Sequence, residues 1–306
     1  MSVLVAITGR DNTKLIAKMK SRLPSIRIEE LDDCQNLESV EFVLAWNAPA
    51  SLWPTLPNLK AVSSFGAGVD SIDLSLLPAD VEVVRIVDKQ LANDMAEYVL
   101  THVLAQKLRL KEYAIKQQQS IWKPKRAHKH NQVSILGFGE LGQACAHRLV
   151  NNGFNVNAWS RSPKTSNIAT LYHGDDGLTQ MLAQTDYLVC LLPLTSSTQG
   201  IINKQLLEQL PEHAVVINVA RGGHIVEADL LDALNNTRIR AATLDVFASE
   251  PLPSEHPYWL HPGITLTPHC AALSDLDSVI EQIAENILRL KAKQPLINCI
   301  DKQQGY

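Results

Sequence analysis

The chain has 306 residues, 45% hydrophobic and 20% charged, enough for two ordinary domains with buried cores. Its net charge of −4, from 28 basic and 32 acidic side chains, gives no general attraction to nucleic acid or to an anionic membrane. No apolar run reaches the roughly 20 residues that cross a bilayer, and the start, Val3-Leu4-Val5-Ala6-Ile7, reads as a strand rather than a signal peptide. Strand-like runs follow at Leu4–Ile7, Ile26–Leu31, Phe42–Ala45, Ala61–Ser64 and Val81–Arg85, with helical stretches such as Thr13–Ser21 between some of them. Short strands alternating with helices predict a parallel sheet. After the fourth strand, the glycines of Phe65-Gly66-Ala67-Gly68-Val69-Asp70-Ser71-Ile72-Asp73 let backbone amides converge on an anion.

A long helix is expected from about Asn93-Asp94 to Gln118. Met95, Val99 and Val103 form one row at i+4, and Ala96, Leu100, Leu104 and Leu108 form the next. It would connect two domains. The basic stretch Lys123-Pro124-Lys125-Arg126-Ala127-His128-Lys129-His130 reads as a solvated linker rim rather than a phosphate or nucleic-acid patch, because the chain as a whole is acidic. Nothing nearby in the sequence completes a metal-ligand set around His128-x-His130, so no metal site is expected. The second series of strands is Val133–Leu136, Val156–Trp159, Tyr187–Leu191, Val215–Asn218, Ala242–Leu244 and Ile264–Thr267, followed by a helix from Asp275 to Lys293 with Val279, Ile283 and Ile287 in register.

The first of these strands runs into Gly137-Phe138-Gly139-Glu140-Leu141-Gly142 and then a helical stretch. This is the G-x-G-x-x-G of a dinucleotide site in its strand–turn–helix context. The next strand ends in Ser160-Arg161-Ser162-Pro163-Lys164. An NAD-preferring site would usually place a carboxylate there for the ribose 2′-hydroxyl. A hydroxyl, a guanidinium and an ammonium suit a 2′-phosphate instead, so NADP(H) is the expected cofactor.

Three further motifs lie at predicted strand ends: Asn218-Val219-Ala220-Arg221-Gly222-Gly223, Asp245 to Leu252, and Thr267-Pro268-His269. In an open α/β sheet, ligands collect beyond the carboxyl ends of the strands. Arg221, Glu250 and His269 together suit reduction of a 2-keto acid. The arginine pairs with the substrate carboxylate and polarises the carbonyl. The histidine gives a proton to the carbonyl oxygen, and the carboxylate orients and stabilises the imidazolium. His224 reads as a turn histidine at the surface. Cys270 reads as a small buried thiol rather than half of a Cys/His nucleophile. The five cysteines are scattered without a C-x-x-C, which points to a reducing cytoplasm with neither a disulfide framework nor a zinc site.

These residues resemble the D-isomer-specific 2-hydroxyacid dehydrogenases over nearly the whole chain. Within that family they are similar to the bacterial glyoxylate/hydroxypyruvate reductase A branch, through Gly66–Ser71, Ser120-Ile121-Trp122-Lys123-Pro124, Trp159–Ser162 and the terminal Gly305-Tyr306. The resemblance implies an α/β chain of two Rossmann-like or flavodoxin-like domains with doubly wound parallel sheets and the active site in the interdomain cleft. Residues 1–98 with 275–306 would bind substrate, and 99–274 would form the NADP-binding domain. Arg221, Glu250 and His269 become the catalytic trio. Amides at Ala67, Gly68 and Val69 would hold the substrate carboxylate, and Trp46 would line the pocket. Gly137, Gly139, Leu141, Gly142, Ser160, Arg161, Lys164, Leu192, Pro193, Thr198, Ala220 and Asp245 would border the cofactor. The resemblance also implies small 2-keto acids such as glyoxylate and hydroxypyruvate as substrates, and a homodimer built through the cofactor domains. Two departures from the family pattern stand out: Cys270-Ala271-Ala272-Leu273 lacks the glycine common after the catalytic histidine, and His224 replaces an apolar residue. The rival readings are another specificity within the family and a dinucleotide-sensing binding protein.

Overall fold

The computed structural model describes residues 1–303 and 305, so Tyr306 of the terminal dipeptide lies outside the described residues. The chain divides into two compact units, Met1–Gln90 with Ser274–Tyr306, and Leu91–Leu273.

The first unit holds β1 (Ser2–Ile7), α1 (Thr13–Arg22), β2 (Arg27–Glu30), β3 (Val40–Trp46), β4 (Ala61–Ser64) and β5 (Glu82–Val84). All pair in parallel in the order β2-β1-β3-β4-β5. Successive side chains of a strand point to opposite faces, and here both faces are covered. Val3, Val5 and Ile7 pack with Leu15, Met19, Val279, Ile283 and Ile287. Leu4 and Ala6 pack with Leu52, Trp53 and Leu56 on the other side. Burial on both faces explains why the central strand β1 reads as a continuous apolar run. Val279, Ile283 and Ile287 come from the C-terminal helix, Leu276–Lys291, whose N-cap Asp275 accepts the amide of Ser278.

The second unit opens with α2 (Lys89–Lys107, its first two residues belonging to the first unit) and α3 (Leu110–Gln118). The single long helix expected from the apolar rows is broken. Arg109 adopts φ +64, outside the helical region, and its guanidinium is tied to the Arg126 carbonyl and to Glu112. The start also lies earlier than Asn93, because Asp88 accepts the amide of Gln90 and caps the first turn. Met95, Val99 and Val103 are buried as their spacing requires, whereas Leu108 is exposed at the break.

The remaining elements are β6 (Gln132–Leu136), α4 (Glu140–Asn151), β7 (Asn155–Ser160), β8 (Thr170–His173), α5 (Gly174–Leu182), β9 (Tyr187–Cys190), α6 (Lys204–Leu207), β10 (Val215–Asn218), α7 (Glu227–Asn235), β11 (Ala241–Leu244) and β12 (Ile264–Leu266). The parallel sheet runs β12-β11-β10-β9-β6-β7-β8. Strand order reverses between β6 and β9, which is where a doubly wound sheet opens its ligand crevice. Strand β8 has no counterpart in the sequence reading. It is a four-residue edge strand with no buried residue, so it lacks the apolar run that marks the others. No helix among the described residues is long and apolar enough to cross a membrane.

Candidate active site

Arg221 follows β10, Glu250 lies beyond β11 and His269 lies just beyond β12. Those strands are consecutive in the sheet, so parallel pairing brings all three residues to the same edge although 48 positions separate the first from the last. His269 Nδ1 lies 2.7 Å from Glu250 Oε2. The other oxygen, Oε1, accepts the Phe247 amide at 2.9 Å. With Nδ1 facing a carboxylate, the network places a proton on Nδ1 and leaves Nε2 as the nitrogen that exchanges one. The His269 side chain is 43% exposed, as a proton donor to a diffusing substrate requires.

The backbone at His269 is left-handed, φ +51, an uncommon state for a residue with a Cβ. Asp245 holds it there. The Asp245 carbonyl accepts the His269 amide at 2.8 Å. Its Oδ1 accepts Thr267 Oγ1 and the Cys270 amide, and its Oδ2 accepts the Ala271 amide. Asp245 is almost fully buried, and its carboxylate is engaged by the loop that carries the histidine. Tyr98 on α2 extends the chain by bonding Thr267 Oγ1 through its hydroxyl. Burial raises the Tyr98 phenol's pKa well above its ordinary value, so it stays protonated. His102 packs on the Tyr98 ring, and burial lowers its pKa. Nothing in the sequence flagged Tyr98, since it is one more residue on a long helix.

The Arg221 turn is pressed against the loop after β11. A Cβ at Gly222 would lie 1.8 Å from the Phe247 carbonyl carbon, so only glycine fits. Arg221 Nη1 donates to the Ala220 carbonyl at 2.7 Å. His224 is fully buried, not at the surface as a turn position implied. Its ring nitrogens face the carbonyls of Arg221 and Pro193 at 3.0 and 3.3 Å, which ties the arginine turn to the loop after β9. Cys270 is likewise reversed, since it is exposed rather than buried. The left-handed turn at His269 ends the strand alternation on which the buried reading rested. Partial desolvation of the sulfur and the nearby Asp245 charge raise the Cys270 thiol's pKa, which opposes its use as a nucleophile.

The dinucleotide loop follows β6. Gly137 has φ +100, and a Cβ there would lie 2.8 Å from the Leu191 carbonyl oxygen. A Cβ at Gly142 would fall 2.1 Å from the Gly137 carbonyl oxygen, whereas one at Gly139 would meet nothing within 4 Å. The first and third glycines therefore serve packing, and Gly139 leaves open space in front of the first turn of α4, where amides point outward. Ser160 closes β7, and its hydroxyl donates to the Ser162 carbonyl. Lys164 Nζ reaches the Phe138 carbonyl at 2.9 Å, and Arg161 bonds Ser197. Lys164 thus stands beside the glycine loop, and Arg161 reaches the segment that follows β9. This chemistry fits a dinucleotide with a charged ribose.

A family model described as D-isomer specific 2-hydroxyacid dehydrogenase, NAD binding domain, matches residues 100–271. The chain belongs to the D-isomer specific 2-hydroxyacid dehydrogenases. A glyoxylate/hydroxypyruvate reductase A of Yersinia enterocolitica is 39% identical over 299 residues, covering 95% of each chain. One of Serratia proteamaculans is 40% identical with the same coverage. Among solved structures, a D-isomer specific 2-hydroxyacid dehydrogenase from Xanthobacter autotrophicus in complex with NADPH and MES superposes with a TM-score of 0.92 at 34% identity, covering 100% of this chain and 99% of that one. An NADPH-dependent glyoxylate/hydroxypyruvate reductase from Sinorhizobium meliloti in complex with NADP and sulfate gives 0.90 at 34%, covering all of both chains.

Other residues of this dehydrogenase occupy less direct positions. Leu192 and Pro193 follow β9 at the reversal of strand order. Thr198 is buried, and its hydroxyl donates to the Pro193 carbonyl and accepts the Thr195 amide. It shapes that loop from within. In the first unit, a Cβ at Gly66 would lie 2.7 Å from the Trp46 ring, so the glycine lets the loop after β4 lie against the indole. Ser64 Oγ accepts the Gly66 amide and donates to the Gly68 carbonyl, fixing the turn that carries Ala67 and Gly68. Val69 turns its side chain into the core.

Proposed function

We propose that this dehydrogenase reduces small 2-keto acids with NADPH, converting glyoxylate to glycolate and hydroxypyruvate to D-glycerate. The observation that carries the reading is the His269–Glu250 pair on the strand edge that also bears Arg221, in the unit whose glycine loop adjoins Lys164. The names of the relatives support the substrate class and the cofactor.

NADPH, when bound, would supply the hydride for the reduction, and Gly139, Leu141, Ser160, Arg161, Lys164, Leu192, Pro193 and Ala220 would border it. Arg221 pairs with the substrate's carboxylate and draws electron density from the carbonyl. Protonated His269 donates from Nε2 to the carbonyl oxygen, so the carbonyl becomes a hydroxyl. Glu250 holds the imidazolium through Nδ1 and keeps Nε2 aimed outward. Asp245 fixes the turn on which His269 stands. We assign the amides of Ala67, Gly68 and Val69 to the substrate carboxylate and Trp46 to the pocket wall. The chain acts as a homodimer through its cofactor unit. In support, Trp122 is 97% exposed, and Leu108, Leu110 and Ile121 are also solvent-facing nearby in the chain, more apolar surface than a monomer ordinarily leaves bare. Five free cysteines fit a reducing cytoplasm.

Initial rates of NADPH oxidation with glyoxylate, hydroxypyruvate, pyruvate and phenylpyruvate, with NADH in parallel, test this. Fast turnover of the two small polar acids with NADPH is expected. Preference for NADH or for a bulky acid would keep the family and overturn the specificity. NADPH binding without turnover of any acid would favour a dinucleotide sensor.

A further inference from the structure

The sheet of the second unit has another edge, formed by the N-terminal ends of its strands. His130, Asp186 and His213 lie just before β6, β9 and β10, which are neighbours in the sheet. Parallel pairing therefore sets the three side by side, at the opposite strand ends from Arg221, Glu250 and His269. One donor atom from each lies within 4.8 Å of the others. His213 Nε2 is 2.6 Å and His130 Nδ1 is 3.2 Å from the same oxygen, Asp186 Oδ1. The other oxygen, Oδ2, accepts the amides of Asn131 and Gln132 at 2.8 Å each. Those two bonds fix the carboxylate plane and turn Oδ1 toward both rings.

Asp186 Oδ1 has two acceptor sites, so it faces both imidazoles just as Oδ2 faces two amides. The two rings stack with centroids 3.7 Å apart and planes within 8°, so a nitrogen of each converges on one carboxylate oxygen. Two nitrogens and one carboxylate oxygen are the donor set of a borderline divalent ion. The geometry points to a binding site for a zinc-type divalent ion, held by His130, Asp186 and His213 at the edge of the sheet remote from the reduction chemistry. Zinc takes such donors at about 2.0–2.2 Å in a tetrahedron. Three protein ligands leave the fourth position to water.

Chelation requires the stacked rings to turn until both nitrogens face one point. The two imidazoles are 33% and 36% exposed, so they turn without disturbing the core. The backbones that carry them are held, since Lys107 Nζ donates to the His130 carbonyl and Arg240 Nε to the His213 carbonyl. The Arg240 charge opposes cation binding. It weighs most against magnesium or calcium, which need several oxygens, and least against an ion bonded to imidazole nitrogen. His130 and His213 flank Asp186 at 56 and 27 positions along the chain, so a bound ion would cross-link the entries to three central strands. It would act on stability, because it binds the folded chain alone.

The test titrates ZnCl2 into full-length, EDTA-stripped protein by calorimetry, and repeats the titration with Co2+ by visible absorption. One ion per chain, tetrahedral Co2+ bands and a Zn2+-dependent rise in Tm are expected, with turnover of keto acids unchanged. His213→Ala and His130→Ala, each checked for fold by circular dichroism, should weaken binding at least tenfold. His128→Ala, whose ring centroid is 6.1 Å from that of His130, should bind as the parent does. No stoichiometric Zn2+ binding, or equal binding after His213→Ala, would overturn the site. So would a loss in His128→Ala as large as that in His213→Ala, because the ion would then sit elsewhere among the ten histidines.

Discussion

His269 and Glu250 meet at 2.7 Å through Nδ1 and Oε2, while Glu250 Oε1 is occupied by the Phe247 amide. Both carboxylate oxygens are therefore spoken for, one by its own loop and one by the imidazole. The side chain is fixed in a position that stabilises charge on His269 without needing to move during turnover. A carboxylate swinging on a flexible loop would lose part of that stabilisation in ordering itself.

His269→Ala removes the proton donor and should lower kcat by about 10²- to 10⁴-fold, the usual range for a positioned general acid. NADPH affinity, followed by cofactor fluorescence, should change little. Glu250→Gln keeps an acceptor for the Phe247 amide but loses the charge. It should lower kcat while NADPH affinity holds, because the substitution removes the charge that stabilises the imidazolium. A folded His269→Ala enzyme with parental kcat would show that another acid does the work.

Arg221→Ala should cost about 10- to 100-fold in kcat/KM, as expected for a charge-assisted bond worth roughly 1.5–3 kcal/mol. Both KM and kcat should suffer, because the guanidinium binds the carboxylate and also polarises the carbonyl. Arg221→Lys should restore little, since ammonium lacks the planar fork. A change confined to KM would reduce the residue to a substrate anchor.

The two glycines of the dinucleotide loop should separate folding from binding. Gly142→Ala forces a Cβ to 2.1 Å from the Gly137 oxygen and should lower Tm by several degrees. Gly139→Ala meets nothing within 4 Å, so Tm should hold while NADPH binding weakens by at least about tenfold, the loss of one charge-assisted hydrogen bond. Equal loss of Tm in both variants would mean that Gly139 also serves packing.

Paired replacement of Ser160 by Asp and Arg161 by Ala should invert the NADPH-to-NADH ratio of kcat/KM. The new carboxylate repels a 2′-phosphate and accepts the ribose hydroxyl. An unchanged ratio would move the discrimination to Lys164 or beyond.

Hydrogen bonds from Lys125 and then Lys116 hold the Glu112 carboxyl down to about 2. A folded pKa below the unfolded value stabilises the fold fully above about 4.5 and loses that contribution as pH falls toward 2. Lys125 lies in the exposed segment that carries Trp122, so the pairing also anchors that segment to α3. The Tm difference between parent and Glu112→Gln should shrink over that acid window, and Trp122 emission should shift with it. A difference constant from pH 6 to 2 would mean that the charge is immaterial.

The central strands of both sheets were legible because parallel strands buried on both faces are largely apolar, as Val3–Ile7 and Val215–Ile217 are. Edge strand β8 lacked that mark. The helix break at Arg109 was hidden because the residues on both sides of it are good helix formers, and the carbonyl that captures its guanidinium, that of Arg126, comes from a segment with no pattern of its own. The burial of His224 and the exposure of Cys270 were also misjudged from the sequence. Each is set by a turn whose direction depends on distant partners, the Pro193 carbonyl in one case and Asp245 in the other.

The sequence by itself determined the class of chemistry: a glycine fingerprint after a strand, basic residues where a carboxylate would mark NAD, and an arginine, a glutamate and a histidine at successive strand ends. Local patterns suffice there, because each motif sits within a few residues of the strand that presents it. Only the tertiary structure decided which groups touch. Asp245 grips the His269 loop, Tyr98 reaches Thr267, and His130 joins Asp186 and His213 because parallel pairing aligns strand ends that are far apart in the chain. Strand order follows from packing summed over the whole sheet, and no single segment carries it.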